Sequence, residues 1–166
     1  MISKKIASVI TSIMVFSCIV GVSLTNVKAD DSAPKSVDGS YLTSADSSTG
    51  YTPKNNERGK HLMDGQCSIS KTGTKRIYAY GSTTANHTVD AVAVIVYVER
   101  YHESDGKWHQ IDAFSKKVEN DYYSAISKSI QVDRGYYYRV HADHLVRMGE
   151  DPVEETYSVT NGILVP

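Results

Sequence analysis

Between Val89 and Tyr101 the chain places Val92, Val94, Val96 and Val98 at strict period two, with Ala91, Ala93, Ile95 and Tyr97 between them. β-Branched side chains at that spacing line one face of a strand, and apolar residues on both faces mark a central strand covered on both sides. Cover ends at Glu99 and Arg100, where charge appears on both faces. Asp105-Gly106 then predicts a two-residue hairpin turn, since both residues tolerate the positive φ such turns require. The return strand runs from Trp108 to Phe114. In this register His102 faces His109, Glu103 faces Trp108, Tyr101 faces Gln110 and Tyr97 faces Phe114.

Further strands are legible on both sides of this hairpin. Gln66 to Lys71 alternates with Cys67 and Ile69 on one face, and Arg76 to Tyr80 is closed by Gly81. Tyr122 to Val132 alternates weakly, and Tyr136 to Ala142 and Glu154 to Val159 follow after turn residues. No helical repeat of apolar residues occurs beyond the first 30 positions. Strands about ten residues apart predict an all-β domain, an antiparallel β-sandwich with an open barrel as the alternative.

The N-terminus reads as an address. Lys4 and Lys5 precede an apolar run from Ile6 to Leu24, and Val27-Lys28-Ala29 supplies small residues where a signal peptidase cuts. Residues 1–29 are therefore expected to be a cleaved signal peptide, and the product to be secreted and extracellular, with no membrane association after cleavage. Residues 30–60 are polar and turn-forming. Their few apolar side chains cannot offset the entropy of ordering them, so a flexible leader is expected before a β-sandwich domain at 61–166.

Loss of the signal removes three basic residues and no acidic ones, leaving 15 Lys and Arg against 19 Asp and Glu, a net charge of −4. An acidic chain without a basic cluster argues against nucleic acid as a partner, because that affinity comes from neutralising phosphates. Cys18 leaves with the signal, so Cys67 is the single remaining thiol. It has no internal partner and could only link two copies of the chain into a disulfide dimer.

The segment Gly135 to Ala142 resembles the penultimate strand of fibronectin type III and immunoglobulin-like modules, with Tyr136, Val140 and Ala142 at the pattern positions. The resemblance implies a sandwich in which Tyr136 is the tyrosine-corner residue. An exported leader, Gly81 to Thr84, the alternating valine strand, the Gly-x-Trp hairpin and Gly-Tyr-Tyr-Tyr-Arg-Val together resemble an uncharacterised family of short secreted proteins of Gram-positive bacteria. That second resemblance implies no activity.

Three constellations could carry chemistry. His102 and His109, opposite each other in the predicted register and about 5.5 Å apart at Cα, could both reach one metal ion, two ligands of the three or four a stable site uses. His141 and Asp143 share a strand face, the pairing used for general-base work, but no nucleophile motif accompanies them. Tyr97, Tyr101 and Trp108 would form an aromatic strip suited to stacking sugars or anchoring a protein. The expectation is a non-enzymatic binding module for a protein or glycan, without a cofactor. A bacteriocin-like or colonisation factor is the alternative, and a small hydrolase a more distant one.

Overall fold

The computed structural model describes residues 34–53 and 59–166. The expected signal peptide lies outside the described residues. Those described contain no helix, so none that is long and apolar enough to cross a membrane. They form nine strands: β1 (Ser36–Val37), β2 (Ser40–Thr43), β3 (Ser47–Tyr51), β4 (Leu62–Gly73), β5 (Arg76–His102), β6 (Lys107–Gln131), β7 (Tyr136–Arg147), β8 (Glu154–Val159) and β9 (Gly162–Val165).

These strands make one curled, mixed sheet, a half-barrel. The expected short strands at 76–80 and 89–101 are a single strand, β5, and those at 108–114 and 122–132 fall together in β6. Their hairpin bends where residues 85–88 of β5 bulge against Tyr122 and Asn120 takes a positive φ of 52°. One limb of β5 pairs with β4, the other with β7, and β6 follows both. The limbs face each other across the core. Gly81 sits where they meet: a Cβ there would approach Val96 Cγ2 to 2.6 Å, so glycine is required for the contact.

Valine alternation delivers what its period implies. Val92, Val94, Val96 and Val98 are fully buried, and the last three join Cys67, Ile69, Ile77, Val140 and Ile163 in the main core. Cys67, whose thiol could pair only with a second copy, is completely buried on its strand, and burial pushes the thiol up to about 11. Protonated and enclosed, it is out of reach of a second chain in this conformation.

The leader differs most from expectation. Residues 36–51 are three strands of the sheet: β3 pairs with β4, and β2 pairs with β9 in parallel. What orders them is hydrogen bonding more than apolar content. Ser40, fully buried, donates its hydroxyl to Thr160 O (2.8 Å), Thr43 Oγ1 donates to Gly162 O (3.0 Å), and Ser48 Oγ accepts from Asn161 N–H (2.9 Å).

Tyr136 does not take the tyrosine-corner role that the resemblance implied. Tyr138, not Tyr136, is buried and donates its hydroxyl to the backbone carbonyl of Asp133 (2.9 Å), while Tyr136 lies exposed.

Candidate cleft at the parting of β5 and β7

The Asp105-Gly106 turn is longer than predicted. Gly106 alone takes a positive φ (68°), and Asp105 instead accepts Lys107 N–H on its side chain (3.0 Å). A two-residue turn needs both residues at positive φ, so the loop widens to Glu103–Gly106, closed by Gly106 N–H to His102 O (2.9 Å). The register shifts accordingly: His102 faces Lys107, Tyr101 faces Trp108 and Arg100 faces His109. One further step along, Ile111 is an extra residue against the Val98–Glu99 step, which turns Phe114 opposite Val96 instead of Tyr97 and packs it against the core.

The predicted aromatic strip is therefore divided. Tyr101 is only 2% exposed and pairs with the Trp108 ring at 5.5 Å. Both lie under the segment 35–40: Lys35 Nζ donates to the Tyr101 hydroxyl (2.7 Å), and Trp108 Nε1–H donates to Val37 O (3.2 Å). Arg139 stacks on Trp108 at 4.5 Å and is ion-paired to Glu99 (2.6 Å). Tyr97 lies apart from them, in a ladder with His141 (5.7 Å) and, beyond it, Tyr157 (5.9 Å). His141 and Asp143 do share that face, at 3.4 Å.

His102 and His109 sit on a diagonal and stack, ring centroids 4.2 Å apart. Their Nε2 atoms are otherwise engaged. His102 Nε2 accepts Arg100 Nε–H (3.1 Å), and His109 Nε2 donates to Asp105 (2.7 Å), a bond that holds the Asp105 carboxyl below its usual range. Among the described residues no group of three His, Cys, Asp or Glu side chains is arranged around a metal position.

What the pair does instead is brace Arg100. The β5–β7 ladder stops at Arg100 opposite Tyr138, and beyond it the strands part, opening a cleft of about 480 Å³. Its walls are Arg100 to Ser104 on one side and Arg134 to Tyr137 on the other. The Arg100 guanidinium lies over the Tyr136 ring at 4.7 Å, with Nε fixed by His102 and Nη1 by Asp133 (3.3 Å). A second depression of about 460 Å³ lies on its other side, so Arg100 is a wall of both. A guanidinium held this firmly, beside Arg134 and three tyrosines, is prepared for a planar anionic group.

Two polar constellations escaped the sequence reading. Ser158 donates its hydroxyl to His144 Nε2 (2.8 Å), and His144 Nδ1–H donates to Thr83 Oγ1 (3.0 Å), whose own proton goes to Ala93 O (2.8 Å). Ser158 and His144 are completely buried, so the pair is sealed from solvent. The ring lies against Gly65, where any Cβ would collide with it. The other constellation is His61, His87 and Asp151, joined by hydrogen bonds of 2.9 Å. The residues are far apart in sequence, and only the β4–β5 register, Leu62 opposite Ala85, reveals the first two as neighbours.

No protein-family model matches this chain, and no curated protein matches it significantly, so the cleft is read from its geometry.

Proposed function

We propose that the protein is an exported, non-enzymatic binding module whose cleft between β5 and β7 takes an acidic saccharide. The observation that carries this is Arg100, held over Tyr136 and braced by His102 at the mouth of the cleft. A carboxylate or sulfate pairs with a guanidinium fork, while the apolar face of a sugar ring stacks on tyrosine. Ser104 and Glu103 add polar groups for sugar hydroxyls. Support for export comes from the order of charge, apolar run and cleavage box at residues 1–29. The Tyr138 corner supports kinship with immunoglobulin-like and fibronectin type III modules, many of which work by binding.

The test is an array of acidic and neutral glycans, followed by titration of the best ligand. Arg100→Ala should weaken binding at least tenfold. Arg100→Lys should not restore it, since lysine keeps the charge but lacks the planar fork. Raised salt should weaken binding in wild type. Equal binding of neutral glycans, or full affinity in Arg100→Ala, overturns the reading.

A further inference from the structure

The second limb of β5 is apolar on both faces but roofed on only part of the outer one. Val92, Val94, Val96 and Val98 turn into the core, so Ala91, Ala93, Ile95 and Tyr97 turn outward between β6 and β7. At the Tyr101 end residues 35–40 cover this outer face: Lys35 Nζ donates to the Tyr101 hydroxyl, and Arg139 Nη1 donates to Asp38 O (3.3 Å). The chain then turns off along β9. Farther along, Ala93, Ile95, Tyr97 and Leu145 keep part of their surface although strands flank them on both sides. Beside them Val153 and Tyr157 are 55% and 47% exposed. An antiparallel strand that faces water on one side normally carries polar residues there, and this one does not.

Charge on the same face is arranged with a direction. The strand registers set Lys117, Ala93, Leu145 and Glu155 in one row across β6, β5, β7 and β8. A cation therefore stands at one end of an apolar row and an anion at the other. We propose that this face joins a second copy of the chain, non-covalently, about a two-fold axis that runs along the strands between Ala93 and Leu145. Half a turn about that line lays each row over itself reversed, so Lys117 meets the partner's Glu155 and Glu155 meets the partner's Lys117. A two-fold across the strands would oppose like charges instead, so the charges select the axis. Leu145 then enters the shallow depression of about 200 Å³ over the partner's Ala91 and Ala93. Tyr97 meets the partner's His141. Asp143, which comes opposite the partner's Ile95, keeps its contact with the His141 of its own chain at 3.4 Å.

The area suits a reversible pair. Four strands about 4.8 Å apart, each with four outward positions about 6.8 Å apart, give about 500 Å² per copy and about 1,000 Å² in all, where specific interfaces begin. An axis along the strands also points the Arg100 ends of both copies the same way, so two clefts open side by side and a repeating ligand can engage both. That consequence rests on the role proposed for the cleft; the pairing itself does not.

Sedimentation velocity of the chain without residues 1–29, from low to high micromolar concentration, tests the pair. The mass should rise from one chain to two. Lys117→Glu and Glu155→Lys should each raise the dissociation constant about tenfold, because each turns two attractive contacts into repulsive ones. The double variant K117E/E155K should restore it. Both side chains are exposed, so each variant should melt as wild type does. A chain that stays monomeric at every concentration overturns the pair. Dimers that neither single change weakens overturn this face as the interface, and a double variant no tighter than the single ones overturns the axis.

Discussion

At the scale of single residues, buried polarity decides the pH behaviour. Burial lowers the pKa of His144 from 6.5 to about 4. The unfolded chain therefore binds a proton between these values that the folded chain refuses, and stability falls as pH drops from about 6.5 to 4. The full loss would be roughly 3 kcal/mol. Urea midpoints measured across this window should fall with pH. The His144 ring, followed by NMR, should stay neutral until below pH 5. A ring that titrates near 6.5 in the folded protein would contradict the sealed network with Thr83 and Ser158. Cys67 gives a second check: enclosed and held protonated, it should resist a thiol reagent at pH 8 and react fully only in denaturant. The enclosure of Cys67 was legible from its place beside Ile69 on one strand face, whereas the His144 network was not. His144 and Ser158 looked like polar residues on strands, and only the cross-strand geometry brings them together.

At the scale of elements, the segment before β3 acts as a strap. Residues 35–40 cover Tyr101 and Trp108, and β2 adds a parallel strand beside β9. A chain beginning at His61 should lose several kcal/mol of stability, since it uncovers two large aromatic rings and unpairs two sheet edges. Its Trp108 emission should shift to the red. An unchanged melting temperature and emission would mean that the strap contributes nothing. The sequence misled here because apolar content is a poor guide to a segment held by hydroxyls and backbone pairing. The candidate site was half legible for a similar reason. Tyr97, Tyr101, Trp108, His102 and His109 do cluster around the hairpin. One loop residue pair more, and one bulge at Ile111, decided which are covered and which brace Arg100.

At the scale of the whole molecule, strand content and core were legible because period two is local information. The continuity of β5 was not, since Gly81 and the polar run 82–88 read as breaks when they in fact allow one strand to bend over itself. The bend leaves β6 paired on one edge only, 25 residues long, as the open side of the half-barrel. Lys116 lies opposite core residue Val94 yet is exposed, a charge set on the inward face of an open edge. Such a charge discourages pairing with another chain. Lys116→Val should therefore promote self-association, visible as a concentration-dependent rise in mass by light scattering. A variant that stays at the wild-type mass would show the edge to be protected by its curvature. The parallel pairing of β2 with β9, Leu42 beside Gly162, has a consequence in time. The strand β2 has no neighbour on that side until Gly162–Val165 have been made. Synthesis can finish the β5–β6 hairpin early, but the strand that carries the strap is seated only once β9 has emerged, so the half-barrel is completed late.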